Sequence, residues 1–362
     1  EEEQRAIDVQ LAWYERNPEY LDRVFGRAAL YMHYIVEEVE RRGMPMEIAL
    51  LPVIESAFEP FAYSKARASG LWQFIPDTGS RFGLPQNWWY DGRRDVMEST
   101  RAALDYLQFM HDEFNGDWLL AVAGYNCGEN CVARAVARNK REGKGTTFWD
   151  LRLPNETRAY VPKLLAMKRL VSDPAALGLE FSPIPNEPYF TKVDVGQQID
   201  LKLAADLAGL THDELFELNP AFHRWATPPQ GPHALLLPID SAELFKQNLA
   251  QLTPDELIVY EARVSNPNNQ HNHETGPKLL HFCMREGHWS VFEQADLTVE
   301  IETSISISMQ ILRHWSARFQ QFSQRYADVR KLETIIEPIT LRRKAAGGNR
   351  QGSGEEISTD DI

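Results

Sequence analysis

Long apolar runs are missing from this chain. No stretch approaches the roughly 20 consecutive apolar residues that a membrane-spanning helix needs, although 43% of its 362 residues are hydrophobic. Cysteine is scarce. Cys127, Cys131 and Cys283 offer no disulfide framework. Cys127 and Cys131, expected on one helix face, read as small packed residues, because no His lies near them in sequence to complete a metal site. Basic charge is in deficit: 52 Asp and Glu against 38 Lys and Arg leave a net charge of -14. The acidity is spread along the chain, which argues against a nucleic-acid-binding surface. The N-terminus, Glu1-Glu-Glu-Gln4, shows no starting Met, apolar leader or acylatable Cys, so a fragment boundary is expected there.

What is present suits two or three globular domains. Up to about residue 183 the apolar spacing is helical, as in Tyr20-Leu-Asp-Arg-Val-Phe25 and Thr100-Arg-Ala-Ala-Leu-Asp-Tyr-Leu-Gln-Phe-Met110, and strand-like alternation is rare. Residues 1–183 are therefore expected to form an all-helical domain. Ser182-Pro-Ile-Pro-Asn-Glu-Pro188 reads as an extended linker. After it come a short strand pattern at Tyr189–Val195, two short helices at Leu203–Ala208 and Asp213–Leu218, and a closing strand at Ala234–Pro238, which together suggest a small α+β module over 184–250. A third segment covers 251–343. The tail 344–362, rich in Gly, Ser and acids, is expected to be disordered. His271 and His273 read as part of a polar loop, since two His alone do not complete a ligand set.

One carboxylate stands out. Ile48-Ala-Leu-Leu-Pro-Val-Ile54 follows Pro45 and reads as a buried helix that delivers Glu55 at its C-terminal end, with Pro52 kinking or shortening it. There, the negative end of the helix dipole and the neighbouring Phe58, Phe61 and Trp72 would favour the protonated form, the state required of a general acid. Glycosidases commonly pair two carboxylates. Glu59 and Asp77 are the nearby candidates, and both read as structural. Taken without its surroundings, Glu55 itself would be read as a solvated residue at a helix end.

Its surroundings say more. Glu55-Ser-Ala-Phe-Glu-Pro-Phe-Ala-Tyr-Ser64 is followed by Gly70-Leu-Trp-Gln73, Asn87-Trp-Trp-Tyr-Asp-Gly-Arg-Arg-Asp95, Gly124-Tyr-Asn-Cys-Gly128 and Glu156-Thr-Arg-Ala-Tyr160-Val-Pro-Lys163. In order and spacing these blocks resemble the lytic murein transglycosylases of family 1, over residues ~10–250 with the following module. The resemblance implies a mainly α, lysozyme-like catalytic domain. It implies Glu55 as the sole acid/base, protonating the oxygen between N-acetylmuramic acid and N-acetylglucosamine and then taking the proton of the muramic acid's own C6 hydroxyl, to leave a 1,6-anhydro end without consuming water. Ser64 would hydrogen-bond near the Glu55 carboxyl, Gln73 and Asn126 would contact the glycan, Tyr125 would face Glu55, and Tyr160 would line the groove. Ser64 as a helix cap, Gln73 as a surface amide and Tyr125 as a core aromatic are the alternatives. Gly124 and Cys127 depart from the family's pattern of Ala and a small residue around Tyr-Asn.

The module 184–250 resembles a divergent LysM domain, which implies N-acetylglucosamine binding; a ligand-free spacer is the alternative. Beyond Leu252 the resemblance changes family. Thr253-Pro-Asp-Glu-Leu-Ile-Val-Tyr260, Gly287-His-Trp-Ser290 and Arg313-His-Trp-Ser-Ala-Arg-Phe-Gln-Gln-Phe-Ser323-Gln-Arg325 resemble part of a flavin-dependent thymidylate synthase, over ~252–351, giving an incomplete α+β segment. It implies FAD and dUMP contacts at His288, Ser290, Arg313, His314, Ser323 and Arg325. Trp315 stands where that family has Arg, a change that removes a planar donor for anions, and the segment stops short of the family's last helices, so this second activity is expected to be inactive. The transglycosylase itself implies no cofactor, peptidoglycan as partner, no nucleic acid, and a periplasmic, outer-membrane-associated setting in a Gram-negative bacterium through an anchor upstream of this sequence. A glycan-binding module without catalysis is the remaining reading.

Overall fold

A computed structural model describes residues 2–251, together with Lys278, Leu279, Phe282, Cys283, Arg285 and the strand residues 342–344 and 353–356. The chain divides into a unit Glu1–Asp296 and a unit Leu297–Ile362. The first opens with α1 (Glu2–Glu15), α2 (Pro18–Ala28) and α3 (Met32–Arg41), then a 3-10 turn (Met46–Leu50) leading into α4 (Leu51–Ser56) and α5 (Pro76–Arg81). It continues through α6 (Val96–Glu113), α7 (Trp118–Cys127), α8 (Glu129–Arg141) and α9 (Asn155–Ser172). The helical expectation for 1–183 is met.

Local chemistry sets these boundaries. The Asp95 carboxylate accepts from Glu98 N–H at 2.7 Å to start α6, and that of Asp117 accepts from Leu120 N–H at 3.0 Å to start α7, each satisfying a first-turn donor. α7 is apolar nearly all round and runs through the core, as such a helix must, against α6 and α9. Pro52 does not kink a continuous helix. It sits in the first turn of α4, where its missing N–H costs nothing, and the segment before it winds as 3-10. α4 ends abruptly because Ala57 and Phe58 adopt φ of +52° and +55°, a left-handed conformation that costs a residue bearing a Cβ about 1 kcal/mol or more.

Between Ala57 and Ile75 the chain is irregular apart from isolated bridges. Arg93 holds it. Its guanidinium pairs with both oxygens of Asp91 (2.9 and 2.7 Å) and donates to the carbonyls of Arg67 (2.6 Å) and Phe74 (3.2 Å). Arg93 and Asp91 are each only 6% exposed. Gly70 is obligatory beside them: at φ +81° its position would bring a Cβ to 2.2 Å from the Arg93 carbonyl oxygen.

The second module is built as β1 (Phe190–Asp194), α10 (Leu201–Ala208), α11 (His212–Leu218) and β2 (Ala234–Pro238), followed by α12 (Ile239–Gln251). β1 and β2 pair antiparallel from Phe190↔Pro238 to Asp194↔Ala234. Asp200 caps α10, and Thr211 with Glu214 forms a capping box on α11. Residues 182–188 are irregular, as expected of a linker. The module is nevertheless docked rather than tethered. Alternate residues of a strand face opposite ways: Leu236 joins the core of the helical domain while Leu235 and Leu237 join the module's own. Backbone bonds from Asp91 N–H to the Ala221 carbonyl and from His223 N–H to the Trp89 carbonyl, each 2.9 Å, close the seam.

One expectation is corrected. Cys127 and Cys131 form a disulfide with Cα atoms 5.8 Å apart. They do not share one helix face, because α7 ends at Cys127, Gly128 turns the chain at φ +87° and α8 begins at Glu129. Near the end of the chain, Ser353–Glu356 (β4) pairs antiparallel with β3 (Arg342–Lys344). His271, His273, His288, Ser290, Arg313, His314, Trp315, Ser323 and Arg325 lie outside the described residues.

Removing Arg93 leaves the Asp91 carboxylate buried and unpaired. Arg93→Ala should cost about 3–5 kcal/mol in urea denaturation, while Arg169→Ala, which breaks an exposed pair with Asp8, should cost little. Equal small losses would show that the loop is held elsewhere.

Candidate active site

Glu55 lies in the last turn of α4, directly before the left-handed turn at Ala57 and Phe58. Its residue surface is half-buried, but the carboxyl end is packed round by protein. Burial is the largest influence on it and pushes its pKa from 4.5 up to about 7; a hydrogen bond from Tyr160 opposes the rise, and the like charge of Glu156 adds to it. Burial is thus the cause anticipated from sequence that dominates. Phe58 and Trp72 are fully buried as expected, whereas Phe61 is 40% exposed.

Tyr160 donates its hydroxyl proton to Glu55 Oε1. It sits 5% exposed within α9, deeper than a groove-lining residue, and burial with the nearby Glu55 charge raises its own pKa well above the usual tyrosine value. Glu156 and Tyr160 are four residues apart on α9, so one helix face presents both to Glu55. That i,i+4 pair is a signal in the sequence that the assignment of site residues did not use.

Tyr125 approaches from α7. Its hydroxyl donates to the Trp72 carbonyl at 2.7 Å, its ring meets Phe74 and Tyr106 at centroid distances of 6.2 and 5.4 Å, and the Glu55 charge contributes to its raised pKa. Asn126 Oδ1 accepts from the Thr157 hydroxyl at 2.7 Å, tying α7 to α9. Gln73, at φ +49°, donates its amide protons inward to the carbonyls of Gly70 (2.8 Å) and Ala62 (3.2 Å). Only its Oε1 is left to meet a ligand, as an acceptor.

Ser64 is placed differently from expectation. Its hydroxyl accepts from Ala68 N–H at 3.0 Å and its backbone N–H donates to the Ala68 carbonyl at 2.9 Å, so it closes the 64–68 loop rather than touching Glu55; a short polar side chain readily bonds its own local backbone. Glu59 pairs with Arg27 at 2.9 Å, and Asp77 is exposed in the first turn of α5. Neither bonds to Glu55 among the described residues. No group of acidic, His or Cys side chains suited to a metal occurs among them either. A cavity of about 470 Å³ lined by Phe25, Met32, Val36, Leu50 and Phe181 among others includes none of these side chains.

Glu55→Gln should remove a pH-dependent penalty on folding. Below pH 4.5 Glu55 is protonated in both states; between about 4.5 and 7 the unfolded state ionises first, so stability falls as pH rises, by roughly 3 kcal/mol overall. The melting temperature of Glu55→Gln relative to the parent should therefore climb from pH 4.5 to 7 in calorimetry. A flat difference would mean that the carboxyl is solvated.

Comparison with known proteins divides the chain as its sequence does. Residues 33–148 match the family described as transglycosylase SLT domain, residues 189–254 the lytic transglycosylase MltD, LysM-like domain, and residues 248–358 the thymidylate synthase complementing protein. The membrane-bound lytic murein transglycosylase D of Escherichia coli is 41% identical over 244 residues, 67% of this chain and 54% of that protein. The flavin-dependent thymidylate synthase of Synechocystis is 54% identical over 106 residues, 29% of this chain and 46% of that protein. A probable enzyme of that kind from Paramecium bursaria Chlorella virus 1 is 50% identical over 109 residues, 30% of this chain and 49% of that protein. The chain thus spans about half the length of the curated relatives it matches. Its first 250 residues resemble lytic transglycosylases, and the segment after them resembles part of a flavin-dependent thymidylate synthase.

Proposed function

We propose that residues 1–183 are a peptidoglycan lytic transglycosylase with Glu55 as its single general acid/base, and that residues 184–250 are a LysM-like module serving the same glycan. The observation that carries this is the Glu55 carboxyl, buried, half-protonated near neutrality and held by Tyr160. In this reading the neutral Glu55 protonates the glycosidic oxygen. The C1–O bond to the departing N-acetylglucosamine breaks, the muramic acid's own O6 closes on C1, and the carboxylate, now stabilised by the Tyr160 hydroxyl, takes the C6 hydroxyl proton. An attacking hydroxyl on the sugar itself needs no positioned water, which suits a site where Glu59 pairs with Arg27 and Asp77 is exposed in the first turn of α5.

Gln73 supports the choice of an acetamido sugar, because its one uncommitted atom is an acceptor for the acetamido N–H. Asn126 and Tyr125 line the same cleft; Ser64 acts through the loop rather than on the substrate. No cofactor is needed. Exposure to an oxidising compartment is supported by the Cys127–Cys131 disulfide, and a periplasmic setting with an outer-membrane anchor fits the likeness to a membrane-bound relative. Among the described residues no helix is long and apolar enough to cross a membrane.

A second reading rests on the 54% identity of the last segment to a flavin enzyme. It requires FAD uptake, and a purified chain that remains colourless after incubation with FAD sets it aside.

Murein sacculi digested with the purified chain should release products ending in 1,6-anhydromuramic acid by liquid chromatography and mass spectrometry, and Glu55→Gln should lower turnover about 100- to 10,000-fold. Reducing-end products would mean hydrolysis and sink the mechanism. Because the Tyr160 hydrogen bond favours the ionised carboxyl, Tyr160→Phe should move the alkaline limb of the pH–rate profile to higher pH. Movement to lower pH would show that Tyr160 plays another part.

A further inference from the structure

The seam between the helical domain and the LysM-like module carries an aromatic cluster that the chemistry at Glu55 does not use. Trp88 and Trp89 come from the irregular segment before α6, and Trp225 from the loop between α11 and β2. Their rings meet edge to face with centroids 5.1, 5.5 and 6.0 Å apart. Trp88 is 54% exposed and Trp225 44%. Indoles that only glued two modules together would be buried; these leave large apolar faces in water, which marks an interaction surface.

The cluster is also held still. Arg224 stacks its guanidinium 3.6 Å from the centre of the Trp88 ring while its Nε donates to the Trp88 carbonyl at 3.1 Å. Its terminal N–H groups have no protein acceptor among the described residues, so a preorganised cation faces outward beside the rings. Such a fork matches a carboxylate. The seam is also continuous with the loop that carries Gln73. Arg94 Nε donates to Ser69 Oγ at 2.8 Å, Gly70 packs on the Arg93 backbone, and the His223 N–H donates to the Trp89 carbonyl at 2.9 Å.

We infer that Trp88, Trp225 and Arg224 form a remote glycan subsite, shared by the two modules, for a β-1,4-linked strand of N-acetylated amino sugars bearing carboxylates: the indoles stack on the apolar faces of the sugar rings and Arg224 pairs with a carboxylate of the muramic acid. The inference rests on the transglycosylase reading for its choice of strand. The subsite lies outside the residues that touch Glu55 and needs both modules, so a strand bound there is held by the module and the catalytic domain together.

The test uses the full chain with Glu55→Gln, titrated by calorimetry with peptide-free glycan strands that keep their lactyl carboxylates and, in parallel, with chitohexaose, which has none. Trp88→Ala with Trp225→Ala should raise Kd about tenfold for both ligands, the loss expected for exposed aromatic anchors. Arg224→Gln should weaken only the carboxylate-bearing strands. Trp225→Tyr, which keeps a ring, should bind within about threefold of the parent, at 1.4 kcal/mol per tenfold. Unchanged affinity in the double alanine variant overturns the subsite. So does loss in Trp225→Tyr as large as in Trp225→Ala, which would show that these rings only pack the seam. Product analysis with the unsubstituted chain separates the two ideas: anhydro products without tryptophan-dependent binding remove the subsite alone, whereas tryptophan-dependent binding without anhydro products removes the catalytic reading and leaves the subsite standing.

Discussion

The buried pair Arg93–Asp91 is the constraint on which the cleft depends. Between α4 and α5 the chain has no ladder of its own to hold it, yet that stretch supplies Gln73, the Trp72 carbonyl that anchors Tyr125, and the wall beside Glu55. A guanidinium with five donors can hold several acceptors at once, and Arg93 spends them on Asp91 and on two carbonyls seven residues apart in the loop, at Arg67 and Phe74. Gly70 lets the loop close onto the Arg93 backbone. The geometry around Glu55 thereby rests on a buried ion pair outside it.

Glu55 shows the opposite economy. Its burial costs stability at neutral pH and raises its pKa to about 7, the range that suits a carboxyl to acid catalysis. The left-handed residues Ala57 and Phe58 add strain next to it, and both penalties fall where the surrounding core, with Phe58 and Trp72 fully buried, is able to carry them. Tyr160 tempers the effect by favouring the ionised form, so the same group can donate a proton and later accept one.

Helical periodicity, proline positions and caps made the helical domain and the strand-helix-helix-strand module readable in advance, because these are local properties of neighbouring residues. Site residues were readable as a set of spaced blocks, and the structure joins Tyr160 to Glu55 and Tyr125 to the Trp72 carbonyl. Ser64 has a spacing that fits a site as well as a loop closure, and its hydrogen bond from Ala68 N–H is legible only in the tertiary structure. The disulfide was missed because two cysteines four apart suit a helix face until Gly128 breaks the helix. The run Ala234-Leu-Leu-Leu-Pro238 did hold the clue that the module docks, since three successive apolar residues in a strand require cover on both faces.

The order of the modules, the spaced blocks around Glu55 and the change of resemblance near residue 250 follow from the sequence alone, for each depends on which residues are present and how far apart they stand. The protonation of Glu55, the hydrogen bond that Tyr160 gives it and the aromatic seam of Trp88, Trp89 and Trp225 were decided by tertiary structure. Desolvation and ring contact arise between segments 100 or more residues apart in the chain, and no local pattern encodes how those segments meet.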